Sequence, residues 1–266
     1  MKERIVSLLS PEYPWTDRFH WLEETGSTND DLKKLAREGA PHGTVLIADR
    51  QSGGHGRMGR SFHSPGGVGI YFSILLRPQC SPGELMHLTC ATAVAMCEAV
   101  EKAAGFRPGI KWTNDLVCGK HKLGGILTEL GFTARGTVDY AIIGIGINCG
   151  QQEADFAEDI RNIAASLSMV TGKEIHRAKV AAAMMDALFR MDRVLLTEKD
   201  SILEAYRRDC ITIGQEVSLL RVGEPVRHGK AVGMDDDGAL LVAFEDGHVE
   251  TVNSGEISVR GMYGYT

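Results

Sequence analysis

A glycine-rich stretch without carboxylates separates two strand-like segments and limits how the first part of the chain can fold. Residues 43–50 (GTVLIADR) and 68–78 (VGIYFSILLRP) are rich in β-branched and apolar residues, as strands are. Between them, seven glycines fall within residues 53–69, and no Asp or Glu occurs between Asp49 and Glu84. Because glycine weakens both helices and strands, the sequence predicts two strands with a long irregular loop between them.

This glycine-rich loop (residues 51–67) is cationic, although the whole chain is acidic. Lys and Arg number 29 against 35 Asp and Glu, a net charge of −6, which argues against a non-specific nucleic-acid or membrane-surface binder. Cations beside backbone amides indicate an anion site; the alternative is a mobile surface loop with solvated arginines. The cations in and around the loop are Arg50, Arg57, Arg60, Arg77 and, when protonated, His55 and His63.

Two generic nucleotide motifs occur in this loop without the context that they need. Residues 54–59 match the G-x-G-x-x-G dinucleotide fingerprint, and residues 54–61 resemble a P-loop in which arginine replaces lysine. Both motifs require a helix immediately afterwards, whereas Ser-Pro-Gly-Gly follows at 64–67. The sequence therefore disfavours a dinucleotide-binding fold and a P-loop.

Two further clusters are KWTND, which begins at Lys111, and KLGGIL, which begins at Lys122. Both lysines lie on strands predicted to form a hairpin, so two ammonium groups can reach one site, and the glycines let a ligand approach the backbone. Asp115 suits either a hydrated Mg²⁺ or an ion pair with a lysine. Exposed lysines at a strand edge are the alternative. A third cluster, GIGIN at 144–148, suits a ligand site or a tight core crossing equally.

Helix and strand patterns alternate up to Cys210. Residues 27–39 are predicted as a capped helix, and a capping box at Ser81 precedes one long helix. Strand and turn patterns fill residues 109–148, and helical periodicity returns over 160–209. After Cys210, short alternating strands are divided by Asp-Gly pairs, which are typical of hairpins.

This change of pattern predicts a large domain over residues 1–210 and a small β-barrel-like domain over 211–266, packed together because so small a domain is marginal alone.

No apolar run approaches the roughly 20 residues of a membrane span. The six cysteines are scattered and lack metal-ligand spacing, which indicates reduced core thiols in a cytoplasmic protein and no zinc site.

Five motifs in a fixed order give the chain a family resemblance. Ser-Thr-Asn at 27–29, GGHGRMGR, KWTND, KLGGIL and GIGIN resemble bacterial biotin–protein ligases, and SGEISVR near the end is similar to the closing motif of that family. The resemblance covers roughly residues 20–261. It implies an α+β fold, in which a mixed β-sheet catalytic domain resembles class II aminoacyl-tRNA synthetases and lipoyl ligases. A small SH3-like β-barrel is implied at the carboxyl end.

The resemblance implies a two-step reaction. Biotin and ATP with Mg²⁺ give biotinyl-5′-AMP and pyrophosphate, and the biotinyl group then passes to a lysine of biotin carboxyl carrier protein, in acetyl-CoA carboxylase or a related carboxylase. No nucleic-acid or membrane partner is expected, and a homodimer is compatible with the resemblance. The alternatives are lipoate or octanoate ligation, and a non-enzymatic biotin sensor or DNA-binding repressor.

The resemblance also assigns residues to roles by position. The biotin-binding set is Ser27, Thr28, Asn29, Gln51, His55, Gly56, Arg57 and Lys122. The ATP- or adenylate-binding set is Arg57, Arg60, Phe62, Lys111 and Asn148. The catalytic residues among them are Arg57, Lys111 and Lys122, and Asp115 is the implied metal ligand.

The chain departs from the family pattern in three places. His55 stands where the loop's first arginine is expected, Thr113 replaces a proline, and Phe62 replaces a tryptophan that closes over adenine. Phe62 keeps a stacking face but loses the indole donor. The segment before Ser27 is too short for the winged helix-turn-helix of bifunctional members, so the expectation is a ligase without that repressor domain.

Overall fold

The computed structural model describes residues 1–221, 223–253 and 257–261, which form two β-sheets and the helices around them. Within these residues, the helices are α1 (Lys2–Val6), α2 (Thr28–Arg37), α3 (Leu88–Ala104), α4 (Leu167–Thr171), α5 (Arg177–Val194) and α6 (Lys199–Asp209). The strands are β1 (Phe19–Thr25), β2 (Thr44–Gln51), β3 (Gly69–Leu76), β4 (Gly109–Lys111), β5 (Asp115–Cys118), β6 (His121–Phe132), β7 (Val138–Asn148), β8 (Glu216–Arg221), β9 (Arg227–Met234), β10 (Leu240–Ala243), β11 (Val249–Val252) and β12 (Ile257–Gly261).

The larger sheet has seven strands in the order β1-β2-β3-β7-β6-β5-β4. The β1–β2 pair is parallel, and the other neighbours are antiparallel. In the centre, β3 and β7 pair with Gly69 opposite Asn148 and Ser73 opposite Gly144. The two strands predicted on either side of the glycine-rich loop are present as β2 and β3, and the structure pairs them directly.

Helices cover both faces of this sheet. Helices α3 and α5 pack on each other, and α3 also contacts α6, β5 and β6 on the side of the main apolar core. On the opposite face, α2 contacts β2, β3 and β7 through a small cluster that includes Leu32, Leu46 and Ile142. The amino end of α2 therefore lies over the central strands, where polar side chains at its start can reach them.

The smaller sheet is antiparallel, in the order β11-β10-β9-β8-β12. Gly238 (φ +88°) and Gly247 (φ +86°) lie in the turns that join β9 to β10 and β10 to β11; this left-handed region favours glycine, and both Asp-Gly turns are as predicted. The turn before β10 contacts the rest of the structure through the Trp112 indole, whose Nε1 donates to the Gly238 carbonyl oxygen (2.9 Å). Thr212 Oγ1, shortly before β8, accepts a hydrogen bond from the Trp112 amide (3.0 Å).

The predicted α+β fold class, with a mixed sheet, helices and a small antiparallel sheet, is confirmed. The long helix predicted after Ser81 differs in detail, because a 3₁₀ turn (Pro82–Leu85) carries the capping box and the α-helix begins at Leu88. The buried His87 side chain stands at the break and hydrogen-bonds the Leu195 carbonyl oxygen (2.8 Å). None of the described helices combines the length and the apolar character needed to cross a membrane. Residues 254–256, which open the SGEISVR motif, lie outside the described residues.

Candidate active site

A cavity of about 460 Å³ is walled by the start of α2, the glycine-rich loop, strands of the large sheet and the segment after β7. The structure brings all the site residues predicted from the sequence to this cavity, while the role of each stays a prediction. They are Ser27, Thr28, Asn29, Gln51, His55, Gly56, Arg57, Arg60, Phe62, Lys111, Asp115, Lys122 and Asn148.

The start of α2 supplies neutral polar groups. Ser27 has extended backbone and caps the helix by accepting a hydrogen bond from the Asp30 amide (3.5 Å). Thr28 follows and is buried, and both its amide (2.9 Å) and its hydroxyl (3.0 Å) donate to Gln51 Oε1. Gln51 Nε2 donates to Ser64 Oγ (3.1 Å). Both ends of the Gln51 amide are therefore held in one orientation.

The Asn29 amide is fixed in the same way, by groups from the central strands. Ser73 Oγ donates to Asn29 Oδ1 (2.6 Å), and Asn29 Nδ2 donates to Glu129 Oε2 (2.9 Å). Lys33 Nζ lies 3.0 Å from the other Glu129 oxygen and balances its charge. A Cβ added at Gly144 would lie 2.2 Å from Asn29 Oδ1. The close approach of Asn29 to β7 therefore requires glycine at this position.

Strand β7 separates core from cavity by alternation. Along residues 143–148, isoleucines alternate with Gly144, Gly146 and Asn148, and successive side chains of a strand point to opposite faces. The isoleucines at 143, 145 and 147 belong to the main core, while the two glycines and Asn148 line the cavity, which Ile145 also borders. The GIGIN cluster therefore packs into the core on one face and borders the cavity on the other, while a ligand role for it stays a prediction.

The glycine-rich loop folds back on itself beside the cavity. The Phe62 amide donates to the Gly54 carbonyl oxygen (2.8 Å), and the Gly56 amide donates to the Arg60 carbonyl oxygen (2.7 Å). These bonds place the Phe62 ring edge-on to Tyr71, with ring centroids 6.3 Å apart. The same ring lies against β7, because a Cβ on Gly146 would be 2.4 Å from it. The loop thus presents an aromatic ring to the cavity.

Cations gather at the hairpin of β5 and β6. Lys122 Nζ lies 2.7 Å from Asp115 Oδ1, and a Cβ on Gly125 would be 3.2 Å from that ammonium. Arg57 Nη1 donates to Asn114 Oδ1 (2.8 Å), which ties the glycine-rich loop to the turn between β4 and β5. Of the two expectations for Asp115, the structure contains the ion pair with a lysine.

Burial affects two of these cations. Burial lowers the pKa of the Arg57 guanidinium; Asp115 opposes this effect and Arg60 adds to it, but a guanidinium remains charged in proteins. Lys111 is only 7% exposed. Both cations line the cavity, so an anion that enters it gains from their positive charge.

The other two departures from the family pattern, besides Phe62, also have specific surroundings in the structure. The His55 ring Nδ1 lies 3.9 Å from the Asp30 carboxylate. Thr113 follows a cis peptide bond after Trp112, and its carbonyl oxygen accepts from the Tyr206 hydroxyl (3.1 Å). Both positions are tied to the polypeptide around the cavity.

The segment after β7 forms an apolar wall that the sequence patterns did not reveal. The apolar residues that line the cavity there are Phe156, Ile160, Ile163 and Ala164, and the Asp159 carboxylate interrupts them. The segment runs beside β6, because the Lys122 amide donates to the Ile163 carbonyl oxygen (2.7 Å) and the Ala165 amide donates to the Lys122 carbonyl oxygen (2.9 Å). Residues 149–159 lack strand or helix periodicity, so only the isolated aromatic residue offered a signal. The helix predicted from residue 160 is wrong up to Ser166, because turns occupy 160–163 and α4 begins at Leu167.

Several polar residues at or behind the cavity were also absent from the predicted set. Each of them lies within, or directly after, a strand pattern that is otherwise apolar or rich in glycine. A polar residue in such a place is a signal that could have identified them. They are Tyr71, Ser73, Asn114, Glu129 and Gln151.

The arrangement suits a molecule with a neutral polar ring and an anionic tail. Hydroxyl and amide groups lie near the start of α2, and positive charge lies near the β5–β6 hairpin. Two anions repel each other in water. Cations placed in this way can hold two anions together in one site. In the part of the chain that the structure describes, no three His, Cys, Asp or Glu side chains form a metal-ligand group.

Comparison with known proteins gives the family. Residues 21–148 match the Biotin/lipoate A/B protein ligase family, and residues 212–260 match the Biotin protein ligase C terminal domain. The bifunctional ligase/repressor BirA of Bacillus subtilis is 36% identical over 234 residues, which are 88% of this chain and 71% of that protein. The chain belongs to the biotin protein ligase family. It is therefore an enzyme of the ligase class, and the family predicted from the five motifs is confirmed.

Other members of the biotin protein ligase family resemble the chain over most of their length. The biotin–[acetyl-CoA-carboxylase] ligase of Paracoccus denitrificans is 30% identical over 225 residues, 83% of this chain and 92% of that protein. The solved structure of the Aquifex aeolicus biotin protein ligase in complex with biotin and ATP has a TM-score of 0.76 and 32% identity, and it covers 91% of this chain and 98% of its own. The ligase fold described above is thus shared along almost the whole Aquifex chain.

Proposed function

We propose that this ligase joins biotin to a protein lysine in two steps, through biotinyl-5′-AMP. The observation that carries the proposal is the division of one cavity into a hydroxyl and amide end and a cationic end. Biotin fits such a cavity, because its ureido ring binds neutral groups and its carboxylate tail approaches cations. The Aquifex relative, solved with biotin and ATP, supports the same ligand pair.

The neutral end is assigned to the ureido ring. A ureido group has one acceptor oxygen and two N–H donors, so it requires both hydroxyl and amide partners. The amides of Gln51 and Asn29 are already held in one orientation each, so the ring meets groups that need no reordering. The residues assigned to biotin at this end are Ser27, Thr28, Asn29, Gln51, His55 and Gly56.

The cationic end is assigned to the adenylation step. A carboxylate oxygen of biotin attacks the α-phosphorus of ATP, a new P–O bond forms, and pyrophosphate leaves with the electrons of the broken bond. Arg57 and Lys122 hold the reacting carboxylate and α-phosphate, and Lys111 holds the phosphates. Their charges offset the repulsion between the two anions in the transition state. The remaining adenylate-binding residues are Arg60, Phe62 and Asn148.

Asp115 is the carboxylate assigned to Mg²⁺ that arrives with ATP. A lone carboxylate fits this ion, since Mg²⁺ in nucleotide sites is held by one or two carboxylates together with substrate phosphates. Bound there, Mg²⁺ neutralises part of the phosphate charge. Asp115 lies 2.7 Å from Lys122 Nζ, so its carboxylate also keeps that ammonium at the reacting end of the cavity.

In the second step, the neutral ε-amine of a carrier lysine attacks the acyl carbon of the mixed anhydride. The C–N bond forms, AMP leaves with the electrons of the C–O bond, and the nitrogen loses a proton. The partner is the biotin carboxyl carrier protein domain of acetyl-CoA carboxylase or a related carboxylase. Until it arrives, the glycine-rich loop covers the adenylate, because an exposed anhydride hydrolyses.

The proposal keeps the two domains at residues 1–210 and 211–266, with the reaction in the first. It also places the protein in the cytoplasm, where no nucleic acid or membrane is required. A homodimer is compatible with it. Sedimentation of the free and the ligand-loaded protein would measure the oligomeric state.

The experiment mixes purified protein with ATP, biotin and an apo carrier domain. Biotin-dependent release of pyrophosphate and a carrier mass increase of one biotinyl group are expected. Lipoate and octanoate replace biotin in matched reactions, and a carrier whose acceptor lysine is arginine is the control. Modification with lipoate or octanoate alone identifies the acyl ligase alternative, and biotin binding without pyrophosphate release identifies the sensor.

A further inference from the structure

The orientation of the Asn29 amide is set by a carboxylate that lies behind it. Asn29 Nδ2 donates to Glu129 Oε2 (2.9 Å), and Asn29 Oδ1 lies 2.6 Å from Ser73 Oγ. Because an ionised carboxylate only accepts hydrogen bonds, Asn29 must turn its Nδ2 to Glu129 and its Oδ1 to Ser73. The amide also packs against the backbone of Gly144, where even a Cβ has no room. An exchange of its two ends is therefore the change that this close packing allows.

The orientation of Asn29 decides where the single hydrogen of the Ser73 hydroxyl goes. Ser73 is fully buried, and its Oγ is within hydrogen-bond distance of two acceptors, Asn29 Oδ1 (2.6 Å) and Thr28 Oγ1 (2.8 Å). With Oδ1 turned towards it, Ser73 donates to Asn29. The hydroxyl hydrogen of Thr28 serves Gln51 Oε1 (3.0 Å) or Ser73 Oγ, and in either case Ser73 does not donate to Thr28. Thr28 Oγ1 therefore stays an acceptor for a ligand in the cavity, which Thr28 lines.

The direction of these hydrogen bonds matters to a ligand with N–H groups. In the proposed function the biotin ring brings two N–H donors to this end of the cavity, and a buried donor without an acceptor is costly. If the Asn29 amide were reversed, its Nδ2 would donate to Ser73, and the Ser73 hydrogen would pass to Thr28 Oγ1. A donor from the protein would then occupy an oxygen that the ring needs. The observed direction suits a ureido ring, and the reversed direction does not.

Lys33 makes both carboxylate oxygens of Glu129 necessary. Lys33 Nζ lies 3.0 Å from Glu129 Oε1 and 2.7 Å from Asp30 Oδ1, and an ammonium group only donates. Glu129 thus accepts from Lys33 with one oxygen and from Asn29 with the other. A glutamine at this position has only one acceptor oxygen. Because a hydrogen bond to an ammonium group is the stronger one, that oxygen would face Lys33. The amide nitrogen would then face Asn29, which must reverse.

We propose that Glu129 is a positioning residue for biotin, whose carboxylate directs the hydrogen bonds of Asn29 and Ser73 so that the ureido ring meets acceptors. This inference rests on the proposed function. Glu129 acts through Asn29, since it is not among the described residues that line the cavity. Its replacement should therefore change the affinity for biotin and leave the chemistry at the cationic end unchanged.

The test measures the dissociation constant of biotin by calorimetry in three variants. Glu129→Gln is expected to weaken binding about ten- to hundredfold, the effect of one ureido N–H left without an acceptor. Lys33→Met is the matched control, because it breaks the same ion pair but keeps the carboxylate; binding stays within about twofold of wild type. In the double variant no ammonium group holds the glutamine oxygen, so the amide takes either orientation. Biotin selects the productive one, and binding returns to within about threefold of wild type.

A second readout separates the direction of the hydrogen bonds from damage to the fold. At saturating biotin, kcat for pyrophosphate release and the KM of ATP are expected to stay within about twofold of wild type in Glu129→Gln. The calorimetric stoichiometry gives the folded fraction. If Glu129→Gln alone does not fold, the double variant is compared with Lys33→Met, and a loss of affinity of more than about tenfold between them overturns the proposal.

Three other results contradict the proposal. Wild-type affinity in Glu129→Gln would mean that the carboxylate does not direct the site. An equal loss of affinity in Lys33→Met would make the ion pair the cause, and a double variant no better than Glu129→Gln would exclude the reversal of the amide. Wild-type protein that binds no biotin refutes the proposed function itself.

Discussion

Replacing Lys122 with methionine separates the stability of the site from its chemistry. In the free protein, Lys122 Nζ lies 2.7 Å from Asp115 Oδ1, and the two side chains are 37% and 22% exposed. Ion pairs with this much solvent contact contribute about 0–1 kcal/mol to stability. Methionine retains most of the apolar stem of lysine. The free energy of unfolding is therefore expected to fall by at most about 1 kcal/mol.

The rate of adenylation is expected to fall much further. If Lys122 contacts the carboxylate and α-phosphate, its charge acts most strongly when negative charge builds up in the transition state. Removing one such preorganised donor lowers kcat by about 100- to 1000-fold, or about 2.7–4 kcal/mol. In the proposed function, biotin binding depends mainly on the neutral end of the cavity, where Gln51 and Asn29 are fixed independently of Lys122. The dissociation constant of biotin is therefore expected to change only a few-fold.

The assay is biotin-dependent pyrophosphate release, together with biotin titration by calorimetry and urea unfolding. Lys120→Met is the matched control, since Lys120 is an exposed lysine in the same hairpin and does not line the cavity. The control is expected to behave as wild type in all three measurements. Pyrophosphate release by Lys122→Met within about fivefold of wild type would refute the reasoning, because that is well below the effect of a transition-state donor.

Three further predictions concern other parts of the structure. Gly144→Ala places a Cβ against Asn29 Oδ1. It is expected to cost about 1–3 kcal/mol of stability and to weaken biotin binding, measured by calorimetry. Gly150→Ala, where an added Cβ makes only ordinary contacts, is the control and is expected to do neither. Burial lowers the pKa of His87 in the folded protein, so the unfolded chain binds more protons. The free energy of unfolding is therefore expected to fall as the pH drops through about 6.5. Urea unfolding at several pH values should show a less steep fall in His87→Gln. Arg57→Gly removes the tether of the glycine-rich loop, so released adenylate is expected to biotinylate albumin in the same mixture.

Each of these predictions has an outcome that contradicts it. Biotin affinity that Gly144→Ala leaves intact would mean that the Asn29 amide does not bind the ring. Equal slopes of stability against pH in wild type and His87→Gln would remove His87 as the cause. If Arg57→Gly labels albumin no more than wild type does and labels the carrier equally well, Arg57 is a surface residue without a role in the reaction. If it labels both proteins weakly, Arg57 is needed to form the adenylate.

Much of the fold follows from local patterns in the sequence. Helix α2 has a Ser27 cap and β2 and β3 have continuous apolar runs, so each was predicted within one or two residues of its observed bounds. Composition also located the site, because glycines and cations without carboxylates concentrate in the glycine-rich loop. In each case the signal and its cause lie within a few residues of each other along the chain.

Contacts between distant segments were beyond that reasoning. Glu129 fixes the Asn29 amide from a strand 100 residues away, and nothing near either residue encodes this pairing. The apolar wall around Phe156 belongs to a segment that adds to the sheet beside Lys122, without periodicity of its own. The break before α3 depends on a hydrogen bond from His87 to a carbonyl in another part of the chain. Such features depend on tertiary packing, which single-segment patterns do not contain.

The alternation along β7 has a consequence for how such a protein can evolve. Substitutions at Gly144 or Gly146 change the cavity side of the strand, and substitutions at Ile143 or Ile147 change the interior, so point mutations can explore one without the other. A single-residue insertion or deletion within the strand would reverse the parity of every following position. It would fill the binding site with isoleucine and leave glycine-sized gaps in the interior at once. Changes of length are therefore confined to the ends of β7, and a redesign of ligand preference should alter its residues without altering their number.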